Sequence, residues 1–150
     1  MKSTLHKFTL AATTATLLAL SGAAIADATT DAAAKEAGAV VTPSGLVYRA
    51  LKEGTGASPT AADSVKVHYR GTFPDGREFD SSYQRNEPTE FPLNKVIPCW
   101  TEGVQLMKIG GKVKLTCPAS IAYGARGAGG VIPPHATLLF EVELLAINGK

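Results

Sequence analysis

The chain has few residues that could do covalent chemistry. Beyond its N-terminal segment it has two histidines, His68 and His135, and two cysteines, Cys99 and Cys117. Acyl transfer needs a nucleophile beside a base. His68, however, falls on the polar face of an alternating segment, and His135 follows two prolines in a loop pattern. There is no G-x-S-x-G elbow, and no cluster of histidines and cysteines at metal-ligand spacing. The glycine-rich run GAGG at 127–130 lacks the Lys-Ser/Thr and the helix of a phosphate loop. What remains is aromatic. Tyr69, Phe79, Tyr123 and Phe140 can point toward one region from strands and strand ends, with the only tryptophan, Trp100, beneath them. Each of these alone fits ordinary core packing.

The elements that must position those rings read as β structure. Residues 46–51 (LVYRAL) form a strand candidate closed by the turn-rich EGTG at 53–56. Residues 65–71 (VKVHYRG) alternate, placing Val65, Val67 and Tyr69 on one face and Lys66, His68 and Arg70 on the other. Pro74-Asp75-Gly76 is a tight-turn signal, after which Glu78-Phe79-Asp80 resumes the extended chain. Residues 112–117 place Val113, Leu115 and Cys117 inward, and 138–144 place Leu138, Phe140, Val142 and Leu144 on one face. Only residues 101–108 suggest a helix, with Glu102 in its first turn and Gly110-Gly111 ending it. The expected fold is α+β: a bent antiparallel sheet of four to six strands whose apolar face wraps one short helix.

The N-terminus carries Lys2 and Lys7, an apolar run from Phe8 to about Leu20, and the small-x-small sequence Ala24-Ile25-Ala26. The run is too short to span a bilayer. It reads as a secretory signal peptide over residues 1–26, cleaved after Ala26, which makes the chain periplasmic or secreted. No cysteine follows the run, so no lipid or membrane anchor is expected. Residues 27–41 are small, polar and alanine-rich without an apolar stripe, and read as a flexible tether; the folded domain would occupy 42–150. The chain has 15 basic and 13 acidic residues, and loss of Lys2 and Lys7 would balance them. That balance provides no electrostatic footprint for nucleic acid.

Three ordered segments carry a family resemblance: VHYRGTFPDGREFDSS at 67–82, VIPCWTEGVQLMKIGGK at 96–112 and AYGARGAGGVIPPHATLLFEVELL at 122–145. They closely resemble the FKBP-type peptidyl-prolyl cis/trans isomerases, and TPSGLVY at 42–48 resembles the lead-in of bacterial secreted members. The resemblance implies an apolar pocket between helix and sheet. Trp100 would be its floor and Tyr69, Phe79, Val96, Ile97, Tyr123 and Phe140 its walls, with Ile132 on the rim loop. Asp80 would sit at the edge beside Arg85, while the Ile97 N–H and the Tyr123 hydroxyl donate to substrate carbonyls. It further implies prolyl isomerisation without a cofactor or metal. The partners would be proline-containing unfolded or extended polypeptides and the family's macrolide inhibitors.

Departures from the family pattern are visible. Thr89 stands where many members carry an aromatic, so one wall is expected to be more open. The loop before Val96 is shorter, and Ala128 and Val131 replace larger residues on the flap. Two cysteines in an exported domain argue for one disulfide, Cys99 to Cys117. It would close a loop of about 18 residues, a stabilisation of about 3 kcal/mol in the chain-entropy model. A redox-active pair, or two free buried thiols, are the alternatives. The retained Tyr69, Asp80, Trp100 and Tyr123 favour an enzyme. The other reading is a chaperone or peptide-binding module of the same fold with little turnover. Without an added helical arm, a monomer is expected.

Overall fold

A computed structural model describes residues 23–148. The expected signal peptide therefore lies outside the described residues up to position 22. Among the described residues no helix is long and apolar enough to cross a membrane.

The elements run α1 (Ala23–Ala34), β1 (Ala39–Val41), β2 (Val47–Lys52), β3 (Ser64–Thr72), β4 (Glu78–Ser81), β5 (Thr89–Pro92), α2 (Pro98–Gln105), β6 (Lys112–Cys117) and β7 (Leu138–Ile147). The strands form one antiparallel sheet in the order β1-β2-β6-β7-β3-β4. β5 shares the outer edge of β3 with β4: it pairs with Ser64–Val67 while β4 pairs with Arg70–Thr72. Register shifts interrupt the β2–β6, β3–β4 and β3–β7 ladders, and such bulges bend a sheet and increase its twist. The sheet has seven strands rather than four to six. The unexpected ones are the short β1 and β5, too brief to show an alternation of their own.

The alternating faces expected of β3, β6 and β7 are the buried ones. Val65, Val67, Tyr69, Val113, Leu115, Cys117, Leu138, Phe140, Val142 and Leu144 all lie in the core beneath α2. The helix contributes Cys99, Trp100, Gly103 and Val104 to that core. Gly103 makes the close approach possible, because a Cβ there would stand 2.8 Å from Leu115 Cδ2. Cys99 and Cys117 are joined as a disulfide, with Cα atoms 5.8 Å apart, tying the first turn of α2 to the end of β6.

Two expectations need correction. The helix starts at Pro98, not Thr101, and ends at Gln105. Proline suits the first helical position, where its missing N–H would have had no intrahelical partner. Ile97, the residue before it, accepts from the Trp100 N–H at 2.9 Å. The last turn tightens through Leu106 and Met107, so Gly110 (φ +90°) belongs to the turn beyond. Residues 27–41 are also not a bare tether. Alanine is the best helix former, and α1 is held to the sheet by Glu36, which pairs with Arg49 at 2.7 Å and Lys114 at 2.9 Å. Ala33 is buried, and β1 extends the sheet against β2. Anchorage by one buried alanine and one carboxylate leaves no apolar stripe for a sequence reading to detect.

Candidate active site

The bend of the sheet and the start of α2 enclose a cavity of about 430 Å³. β3 supplies Tyr69, β4 supplies Phe79 and Asp80, β5 supplies Phe91, and β7 supplies Phe140. Val96 and Ile97 follow a 3-10 turn (Leu93–Lys95), Trp100 sits in the first turn of α2, and Tyr123 comes from the loop after β6. The rings stand edge-on around the indole. Trp100 meets Tyr69 at 5.2 Å and 83°, Phe91 at 5.4 Å and 83°, and Phe140 at 5.5 Å and 88°. Phe79 in turn meets Phe140 at 5.6 Å and 88°. Each such pair adds about 0.5–1.5 kcal/mol beyond burial, so the walls form a mutually braced set.

One glycine makes this possible. A Cβ on Gly71 would lie 2.5 Å from Phe79 Cζ and 3.0 Å from Phe140 Cε1, so the two rings occupy the space a side chain would need. At the floor, the Trp100 Nε1–H is buried and has no hydrogen-bond partner among the described residues.

Polar groups are few and concentrated at one edge. The Tyr69 hydroxyl donates to Asp80 Oδ2, and Arg85 donates to Asp80 Oδ1 at 2.6 Å and to the Tyr69 hydroxyl at 3.1 Å. Burial alone would raise the Asp80 carboxyl, but the bonds from Tyr69 and Arg85 outweigh it and hold the group below its ordinary range. Burial, and then the bond to Asp80, push the Tyr69 phenol up. Tyr69 thus remains a neutral donor and Asp80 a charged acceptor. Tyr69 is fixed from behind as well: its N–H donates to the buried Ser82 Oγ at 2.7 Å, and that oxygen also shares a hydrogen bond with His68. At the start of α2, the Ile97 carbonyl accepts the first bonds of the helix, while its own N–H donates to no backbone group of the described residues.

Eight of the residues expected at the site line this one cavity: Tyr69, Phe79, Asp80, Val96, Ile97, Trp100, Tyr123 and Phe140. Arg85 does not line it and acts on it through Asp80 and Tyr69. Ile132 is not brought to the cavity. It is buried in the core cluster that includes Tyr69, Trp100 and Phe140, bridges to Ala128, and lines a second cleft with Phe73, Arg77 and Arg126.

Two lining residues escaped the sequence reading, Phe91 and Lys95. Phe91 supplies an aromatic on the strand that carries Thr89. β5 places Thr89 opposite Val67 and Phe91 opposite Val65, so Phe91 lies one alternation further along the same face. Its ring packs edge-on against Tyr69 and Trp100. The signal available was the Thr-x-Phe alternation at 89–91, hidden by the brevity of the strand.

Comparison with known proteins identifies the family and the fold. The model of the FKBP-type peptidyl-prolyl cis-trans isomerase family matches residues 56–145. The chain is 60% identical over 115 residues to the FKBP-type peptidyl-prolyl cis-trans isomerase FkpA of Aeromonas hydrophila, a match over 77% of this chain and 42% of that protein. It is 54% identical over 114 residues to the FKBP-type 22 kDa isomerase of Escherichia coli, covering 76% and 55% of the two chains. It thus spans about half the length of the curated relatives it matches. Among solved structures, Escherichia coli FkpA superposes with a TM-score of 0.80 at 47% identity, over 83% of this chain and 58% of that one. A peptidyl-prolyl isomerase from Pseudomonas syringae superposes with a TM-score of 0.78 at 37% identity, over 83% and 91%.

Proposed function

The chain belongs to the FKBP-type peptidyl-prolyl cis-trans isomerases, and on that premise we propose that its aromatic cavity isomerises X–Pro bonds in exported polypeptides. The observation that carries this reading is an apolar cavity whose one carboxylate, Asp80, is already neutralised at its edge by Arg85 and Tyr69.

Prolyl isomerisation breaks no covalent bond. It twists an amide out of resonance over a barrier of about 18–20 kcal/mol, which takes tens to hundreds of seconds unaided. The planar amide is the more polar form, so water stabilises the ground state against the twist. A proline ring seated on Trp100 among Tyr69, Phe79, Phe91 and Phe140 leaves that water behind. The rotated carbonyl then needs a fixed partner, and Asp80, Tyr69 and Arg85 form a preorganised dipole at the edge where it would turn. The Ile97 N–H and the Tyr123 hydroxyl hold the flanking carbonyls, keeping the substrate in a turn. No nucleophile, metal or cofactor has a step to perform. The same cavity would take the family's macrolide inhibitors.

We propose further that the chain is exported, with residues 1–26 as the leader, and that residues 42–150 carry the activity as a monomer. The N-terminal sequence of the secreted protein checks the first point and its sedimentation the second. A protease-coupled proline-peptide assay tests the function itself. Acceleration that saturates with peptide is expected; a rate equal to the uncatalysed one, with tight binding of unfolded protein, overturns isomerisation in favour of a chaperone.

A further inference from the structure

Lys95 is the one charged residue lining the cavity besides Asp80. The two differ in their pairing. Asp80 is bound to Arg85 and Tyr69, whereas Lys95 forms no ion pair with any described residue. Nor is Lys95 carried on a loose loop. It ends the 3-10 turn whose first residue, Leu93, is fully buried and doubly held: its N–H donates to the Asp63 carbonyl at 2.9 Å and its carbonyl accepts from Thr101 Oγ1 at 2.7 Å. The ammonium stem therefore projects from a fixed base, two residues before Ile97. The flap side adds another cation. Arg126, likewise without an ion pair, follows Tyr123 through the turn in which the Gly127 N–H donates to the Tyr123 carbonyl. Of the glutamates on neighbouring segments, Glu78 is paired with Arg70, and Glu87 and Glu90 line a separate cleft with Lys66 and Arg85.

We infer that Lys95 is a specificity-determining residue that selects proline segments carrying an acidic side chain next to the X–Pro pair. The inference rests on the isomerase reading above. A carboxylate from substrate is the partner that Lys95 lacks, since the cavity's own carboxylate, Asp80, is already held by Arg85 and Tyr69. A basic side chain at the same place meets Lys95 as a like charge. Because Lys95 is exposed, the discrimination is modest and sensitive to salt.

The test is NMR exchange on short peptides with an invariant Leu-Pro pair and a single Glu, Gln or Lys just before or just after it. For the protein as it stands, catalytic efficiency should fall in the order Glu, Gln, Lys, with about a three- to tenfold span at low salt that narrows at high salt. Lys95→Gln should flatten the order and Lys95→Glu reverse it. Each variant is read as a ratio between its own peptides, so a general loss of activity does not mimic the result. Equal rates for the three peptides, or an order unchanged in both variants, overturn the inference. No acceleration of the Gln peptide by the parent protein would instead overturn the isomerase reading, and this inference with it.

Discussion

Tyr69 and Asp80, from neighbouring strands, are joined directly by a hydrogen bond from phenol to carboxylate, and Arg85 bonds to both. The cluster is half exposed, with Asp80 and Arg85 side chains 41% and 48% accessible. It therefore contributes little to folding. Its consequence is orientation: it fixes a charged acceptor and a neutral donor at the edge of an apolar cavity. Asp80→Ala should lower catalytic efficiency roughly tenfold to a hundredfold, the range expected for hydrogen bonds to a charged group. The melting temperature should barely move. Isomerase assays and thermal unfolding on the same preparation check both.

The pH dependence follows from the same three groups. Asp80 titrates below the ordinary carboxylate range in the folded protein, so its contribution is full above that range and is lost as pH falls through the depressed value. Tyr69 titrates above the ordinary phenol value, so its donor is kept through neutral pH and lost only as pH rises through the raised value. Activity should be flat from about pH 5 to about pH 9. Arg85→Ala should move the acid limb upward, because the carboxylate loses a partner that favours its charged form. NMR exchange, which needs no coupling protease, measures the whole profile.

Gly71→Ala places a methyl group where Phe79 and Phe140 now stand. Overpacking of this kind costs about 1–3 kcal/mol. Because Phe79 Cζ is the nearest atom, the cavity wall must also shift. The expected result is a lower melting temperature together with lower activity and weaker macrolide binding. A variant that is destabilised yet binds with parental affinity would separate this glycine from the pocket.

The disulfide joins the turn bearing Trp100 to the strand beneath it, closing a loop with a sequence separation of 18. Replacing Cys99 and Cys117 together by serine should cost about 3 kcal/mol in the chain-entropy model. Both cysteines are fully buried, so thiol reagents should label the protein only after reduction and unfolding. The intact mass should lie about 2 Da below the dithiol form, and a mass equal to the dithiol form would contradict the bond.

Legibility in the sequence followed periodicity and length. β3, β6 and β7 are long enough to alternate several times, and each inward position read from the pattern is buried. The aromatic walls on those strands were visible for the same reason. β5 has four residues, so the pattern does not distinguish Phe91 from a loop aromatic. α2 begins three residues before the pattern suggests, since Pro98 suits the first helical position, where no N–H is needed. α1 left no trace because its attachment runs through Glu36, Arg49 and Lys114 rather than an apolar face. Asp80, Arg85 and the Ile97 N–H came only from family resemblance, since no spacing rule marks a charge-neutralised edge.

The central claim is that this cavity, and no covalent group, isomerises X–Pro bonds. NMR exchange on a Leu-Pro peptide, with the parent protein, Asp80→Ala and Tyr69→Phe compared at equal folded concentration, tests it most directly. The account predicts cis/trans exchange far faster than the uncatalysed tens to hundreds of seconds with the parent, and a clear loss in both variants. Exchange no faster than in buffer, or full activity retained in both variants, would contradict it.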